Sequence, residues 1–212
     1  MSAIRKAPKA WFWGGLGFAL FATLALIVNA GGAEAFDSAV IAAVQGRETD
    51  GWTAVAMLLS ELGSTIGVIA ICATILLLLA FVLGHRSELV LFVAAVGGAV
   101  LLNQLLKLVF RRERPDLHRL VEETGFSFPS GHAMAAFALY AAAAYLLWRH
   151  IRPATGRIVL IAIVSLMIVG IGLSRIYLGV HYPSDVVAGY VASGVWLGIA
   201  IAWWKWRFAR RA

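Results

Sequence analysis

The sequence predicts an all-α integral membrane protein, a six-transmembrane-helix bundle with a short interfacial helical segment between spans 1 and 2. Three observations carry that expectation. The 212-residue chain is 61% hydrophobic and only 14% charged, with a mean hydropathy of +0.85. A soluble domain of this size needs far more charge to cover its surface. The apolar residues fall into separate runs of bilayer-crossing length. Most basic residues sit at the ends of those runs, where membrane topology places them, so the net charge of +7 is no sign of nucleic acid. Cys72, the single cysteine, lies within an apolar run and implies neither a disulfide framework nor a metal site. Residues 1–212 read as one membrane-embedded domain.

In chain order, spans are expected at about 10–33, 62–84, 88–108, 130–149, 156–175 and 183–205. The first follows Arg5, Lys6 and Lys9 and opens on Trp11 and Trp13. Ala33-Glu34-Ala35 resembles a signal-peptidase site, but the apolar run is long for a cleaved leader, so a retained helix is expected. Residues 34–61 carry Glu34, Asp37, Glu48, Asp50 and Glu61 against Arg47 alone. Within them Phe36, Val40, Ile41 and Val44, then Trp52, Val55, Leu58 and Leu59, recur at helical spacing after acidic starts. One or two interfacial helices are expected there, with a plain connecting loop as the alternative.

Thr65 to Gly84 is an uncharged run of twenty residues; His85, Arg86 and Glu88 then make a tight turn into the third span. The apolar runs Ala133–Trp148 and Ile158–Leu173 fall short of the roughly 20 residues needed to cross. They reach that length only if the polar motifs at their ends are partly immersed. Gly194 and Gly198 make a GxxxG spacing in the last span, read as close helix packing.

Charge asymmetry sets the expected orientation. The N-terminus, the 85–88 turn, the 149–157 turn and the C-terminus hold eleven of the eighteen Lys and Arg residues. The positive-inside rule then places both termini in the cytoplasm of a cell whose plasma (inner) membrane holds the protein. The acidic 34–61 segment and the polar motifs face the periplasm or outside.

Three charged clusters border the apolar runs. Lys107 to Pro115 contains Lys107, Arg111, Arg112 and Arg114, and taken alone it reads as a basic collar, with Arg111, Arg112 and Arg119 as no more than that. Phe128-Pro129-Ser130-Gly131-His132 places a good N-cap, Ser130, and a permissive Gly131 where a loop becomes a helix. The free N–H groups of such a first turn are an anion site, and His132 stands beside them. Ser174 to Asp185 holds Arg175, His181 and Asp185; Pro183 stops the preceding helix and opens the next, with Asp185 in its first turn. His118 reads as a solvated loop residue, while His85 and His150 fall on the wrong side.

Together the clusters supply cations for non-bridging oxygens, backbone donors, and two histidines, one to attack phosphorus and one to protonate the departing oxygen. No acidic cluster offers magnesium ligands and no Cys/His spacing offers zinc, so the chemistry reads as metal-free, without a cofactor.

Lys107 through Pro115 matches KxxxxxxRP, Pro129 through His132 matches PSGH, and Ser174 through Asp185 matches SRxxxxxHxxxD. In these motifs, their order and their spacing, the chain resembles the type 2 phosphatidic acid phosphatase superfamily of membrane lipid phosphatases. The resemblance implies that His181 is a nucleophile forming a phosphohistidine, that Asp185 orients it, and that His132 is the general acid. It implies that Lys107, Arg114 and Arg175 clamp the phosphate, helped by Ser130 and the Gly131 N–H. The implied substrate is a phospholipid or polyprenyl phosphate in the bilayer, with no obligate protein partner. Undecaprenyl diphosphate ranks first and phosphatidylglycerol phosphate second, ahead of phosphatidic acid and lipid A phosphate. Soluble vanadium haloperoxidases share the motifs, but the apolar spans argue against them. A lipid transporter or flippase that binds phosphate without cleaving it is the alternative, disfavoured because binding alone needs no His181–Asp185 pair.

Overall fold

A computed structural model describes residues 7–82, 86–116 and 118–208. Arg5, Lys6, His85, Arg210 and Arg211, which enter the charge count and the expected turn, lie outside the described residues. Among the described residues all regular structure is helical. The helices are α1 (Ala7–Asn29), α2 (Glu34–Gln45), α3 (Asp50–Leu62), α4 (Thr65–Leu77, prolonged by a π-helical turn Leu78–Val82), α5 (Arg86–Phe110), α6 (Gly131–Leu147), α7 (Ala154–Tyr177) and α8 (Pro183–Phe208).

Four of these, α1, α5, α7 and α8, are long and apolar enough to cross a membrane. The pair α3 and α4 is bent by 56° and makes a fifth candidate if taken as one broken span. The six expected spans are thus matched by four helices, or five with the bent pair. The short one is α6, with 17 residues between its Ser130 cap and Trp148. It is also the central helix, packed against α5, α7 and α8. Ala133, Ala135, Ala136, Ala138, Ala142 and Ala144 are buried along it, and small side chains let the surrounding backbones come close without a hydrophobic driving force between helices.

Helix α1 packs on α8, with Phe21 and Ala25 against Ala188 and Ala192. Gly194 faces the Phe137 ring of α6, while a Cβ on Gly198 would meet open space, so the GxxxG pair serves ordinary packing at one position only. Far from the polar motifs, Arg149 Nη1 donates to Glu88 Oε1 at 2.5 Å and Trp204 Nε1 to the Ser87 carbonyl at 2.7 Å. These bonds tie the start of α5 to the ends of α6 and α8.

The 34–61 segment forms two helices, and their orientation differs from the apolar pattern. In α3 the inward side is the small and polar one: Ala56 and Ser60 are buried, and Thr53 Oγ1 lies 2.9 Å from the Tyr177 hydroxyl of α7. Trp52, Val55 and Leu58 point outward. In α2, Asp37 is buried, Ile41 and Val44 pack inward with it, and Phe36 is exposed. A lipid-facing helix has no reason to hide apolar side chains, so the polar residues choose the packed face. Thr49 caps α3 through Trp52 N–H and Ser64 caps α4 through Gly67 N–H, contacts worth about 1 kcal/mol each.

Candidate active site

The three charged clusters meet where α5 and α7 end and α6 and α8 begin. Backbone hydrogen bonds hold them there. Ser127 N–H donates to the Arg112 carbonyl at 2.8 Å, Ser130 N–H to the Asp185 carbonyl at 3.1 Å, and Leu120 N–H to the Leu178 carbonyl at 3.0 Å. Asn103, buried in α5, adds a side-chain bond from Nδ2 to the Pro129 carbonyl at 3.0 Å. Gly179 has φ +74°, and a Cβ there would collide with the His118 backbone, so only glycine lets the loop pass this close to the third cluster.

Ser130 caps α6, its Oγ accepting from Ala133 N–H at 3.5 Å, and is fully buried. Gly131 begins the helix, with the Asn103 amide against the place a Cβ would occupy. His132 follows, half-buried, its ring packed on the bare backbone of Gly63. Among the described residues neither His132 nor Lys107 has a hydrogen-bond or ion-pair partner, which leaves both free for a ligand. Lys107 shares the electrostatic field of Arg114, Arg175 and Asp185 from the last turn of α5.

His181 lies in the turn between α7 and α8 and is 1% exposed. Its Nδ1 stands 3.4 Å from Asp185 Oδ2 and its Nε2 is 3.2 Å from Arg114 Nη1. Arg114 is a donor only, so Nε2 is the acceptor and the ring proton belongs on Nδ1, facing the carboxylate. Burial pushes the imidazole down to about 3, against the pull of Asp185, with Arg114 and Arg175 adding to the depression. The ring is therefore neutral at ordinary pH, with its Nε2 lone pair available. Arg114 is itself fixed by the carbonyls of Thr124, Gly125 and Val180. Its own burial lowers the guanidinium's pKa.

Beside these groups opens a cleft of about 570 Å³, bordered by Ser60 and Glu61 of α3, the loop from Val121 to Thr124, His132 and Arg175. Arg175 Nη1 donates to Ser60 Oγ at 2.5 Å and Nη2 pairs with Glu123; its buried Nε has no partner. Glu123 also reaches Arg114 at 3.8 Å. Among the described residues no group of three His, Cys, Asp or Glu side chains could hold a metal ion.

All eight expected site residues are brought to this end of the bundle: Lys107, Arg114, Ser130, Gly131, His132, Arg175, His181 and Asp185. Two expectations need correction. Arg112 is not a collar residue: it bonds Asp185 Oδ1 at 2.6 Å and Asp37 Oδ2 at 2.9 Å, and stacks 3.9 Å over the Tyr182 ring. Burial works against its charge, but Asp185 and Asp37 outweigh it and hold its pKa above the usual value. Arg111 adopts φ +47° as α5 ends, and Arg112 turns inward to Asp185 and the distant Asp37. His118 is exposed but not merely solvated, since its Nε2 lies 2.7 Å from Glu48 Oε2 between α2 and α3. Asp37, Ser127, Ser184, Ser60 and Glu123 were absent from the expected site. The one available signal was Asp37, a carboxylate beside an apolar stripe, and at a helix start it passes for an ordinary first-turn acid.

The PAP2 superfamily profile matches residues 88–210. Over 101 residues the chain is 42% identical to phosphatidylglycerophosphatase B of Bacillus subtilis (strain 168), covering 47% of this chain and 50% of that protein. The chain thus spans about half the length of that relative. Over 171 residues it is 37% identical to decaprenylphosphoryl-5-phosphoribose phosphatase of Mycobacterium tuberculosis (strain ATCC 25618 / H37Rv), covering 77% of this chain and 87% of that one. The crystal structure of a transmembrane PAP2 type phosphatidylglycerolphosphate phosphatase from Bacillus subtilis superposes with a TM-score of 0.78 at 27% identity, covering 92% of this chain and 98% of that one. The profile takes in all three clusters and more than half of the chain, and the fold agrees nearly end to end. On these grounds the chain belongs to the PAP2 superfamily.

Proposed function

We propose that this integral membrane protein is a lipid phosphatase that hydrolyses a phosphomonoester or diphosphate on a membrane lipid through a phosphohistidine on His181. The observation that carries the reading is the position of the His181 ring, Nδ1 toward Asp185 and Nε2 toward Arg114, next to a cleft that holds His132 and Arg175. In the first step Nε2 bonds to phosphorus, the bond from phosphorus to the lipid oxygen breaks, and His132 gives that oxygen a proton. In the second step a water gives its proton to His132 and its oxygen to phosphorus, the P–N bond breaks, and inorganic phosphate leaves. Arg114, Arg175, Lys107 and the Gly131 N–H spread the charge that develops on the non-bridging oxygens, doing without a metal the electrostatic work a metal often does.

The relatives' names point to lipid-linked phosphates: phosphatidylglycerophosphatase B, decaprenylphosphoryl-5-phosphoribose phosphatase and, at 36% identity over 122 residues, lipid A 1-phosphatase of Rhizobium etli. This favours phosphatidylglycerol phosphate as the first substrate to try, ahead of undecaprenyl diphosphate, for which no named relative speaks. The proposed placement is a plasma membrane with both termini cytoplasmic, α6 completing a sixth span, and the cleft at the outer face near headgroup depth. A lipid phosphate then enters sideways between helices with its tail still in the bilayer.

The test is phosphate release by the purified protein on phosphatidylglycerol phosphate, phosphatidic acid and undecaprenyl diphosphate, with and without EDTA, alongside His181→Ala. Release on at least one substrate, unchanged by EDTA and lowered by about three orders of magnitude or more in the variant, is expected. Wild-type binding without release would make the protein a carrier. A variant above about a tenth of the wild-type rate would remove the phosphohistidine.

A further inference from the structure

Asp185 divides its two oxygens between different tasks. Oδ2 accepts from Tyr182 N–H at 2.9 Å and from the Ser127 hydroxyl, and faces His181 Nδ1. Among the described residues Oδ1 is taken by Arg112 alone, at 2.6 Å. The other arm of the same guanidinium holds Asp37 Oδ2 at 2.9 Å, so one rigid fork joins two buried carboxylates. Ser184, the residue before Asp185, closes the circuit: its N–H donates to Asp37 Oδ1 at 2.8 Å and its hydroxyl to Asp37 Oδ2 at 2.7 Å. Asp37 is 2% exposed and comes from α2, outside residues 88–210 that carry the family match.

A carboxylate this deeply buried is costly unless paired, and its partner here already serves another acid. The arrangement makes sense as charge arithmetic. Arg112 opposite Asp185 alone would cancel the negative charge that His181 needs when its ring gains a phosphoryl group at Nε2 and becomes cationic. With Asp37 present the three groups sum to minus one. Arg112 can then orient Asp185 without taking its charge from His181.

We propose that Asp37 and Arg112 are positioning residues for the reaction, and that through them the seating of α2 sets the geometry and charge of the His181–Asp185 pair. The inference rests on the proposed phosphatase reading, and its test has one arm that does not. In that arm, ¹⁵N-histidine NMR of the solubilised protein reads the His181 tautomer whether or not any lipid is turned over. Wild type shows the Nδ1–H tautomer. Asp37→Asn and Arg112→Gln each give a mixture of tautomers. In the kinetic arm, both variants lose about 10- to 100-fold in kcat on phosphatidylglycerol phosphate, with KM within about twofold, as for other supports of a catalytic histidine. Arg112→Lys, which keeps the charge but not the fork, recovers part of the loss.

If Arg112→Gln fails to fold because it strands two buried carboxylates, the double variant Asp37→Asn with Arg112→Gln removes one of them and restores the wild-type net charge of minus one. It keeps its thermal transition and still shows the mixed tautomer and the low kcat. A wild-type tautomer in every variant, a raised KM at unchanged kcat, or a double variant with wild-type kcat would each overturn the proposal. Absence of turnover in wild type would sink the phosphatase reading while the NMR arm still decides the positioning role.

Discussion

Arg114 Nη1 stands 3.2 Å from His181 Nε2, the ring nitrogen that faces away from Asp185. In this state the atom proposed as the nucleophile is covered by one of the groups proposed to bind the substrate's oxygens. Glu123 in turn reaches both Arg114 and Arg175. The cation cluster therefore already holds a carboxylate of its own, which a phosphate bound as proposed would replace. On the proposed mechanism, the N–H of Arg114 passes from Nε2 to a phosphate oxygen when phosphate binds, which uncovers the lone pair.

Removing that internal anion is expected to help anions from outside. Glu123→Gln should tighten inhibition by orthovanadate and lower KM for the lipid phosphate, each by roughly 5-fold, the equivalent of about one net hydrogen bond. Inhibition assays on wild type and variant measure this. An unchanged vanadate constant would mean that Glu123 does not compete for the site.

Among the described residues His132 borders the cleft with no hydrogen-bond partner, and the proposed mechanism has it protonate the leaving oxygen. A general acid matters in proportion to how poor the leaving group is. His132→Ala should reduce kcat on a lipid or alkyl phosphate by about 100-fold or more, and on nitrophenyl phosphate by far less. Equal losses on both would make His132 a phosphate ligand instead.

The buried, neutral His181 also predicts a pH dependence of stability. Its pKa falls from 6.5 unfolded to about 3 folded, so between these values the unfolded chain binds the extra proton. The ring's contribution to stability is complete above pH 6.5 and is lost as the pH falls toward 3. Thermal unfolding in detergent should show wild type losing stability with acidification more steeply than His181→Ala. Parallel curves would show that His181 titrates normally.

The proposed orientation can be read in intact cells. In a Cys72→Ala background, single cysteines replace Glu122 at the cleft and Thr155 at the start of α7, both exposed. An impermeant maleimide should label position 122 and spare 155. The opposite result would put the site in the cytoplasm and remove outer-leaflet lipids from the candidate substrates.

Much of this protein is decided by local chemistry. Runs of apolar residues must satisfy their backbone internally in lipid, so helices follow from composition alone. Ser130 before Gly131, and Pro183 before Asp185, place helix starts without any tertiary information. The candidate site residues were legible for the same reason: Lys107, Arg114, His132, Arg175, His181 and Asp185 all lie in short motifs at or near helix ends, and the structure brings them to one end of the bundle.

What only the tertiary structure decided lies at long range. No local pattern says that Arg112 rather than Arg111 turns inward, because that depends on where α5 unwinds and on a carboxylate 75 residues earlier. Nor does periodicity place the inward face of α3. In water the apolar stripe would mark it, but in lipid the packed face is where Thr53 and Ser60 find partners on α7. The sequence by itself determined which motifs border the helix ends; packing decided which other residues surround them, because a buried charge is tolerable only where a distant part of the chain supplies its partner.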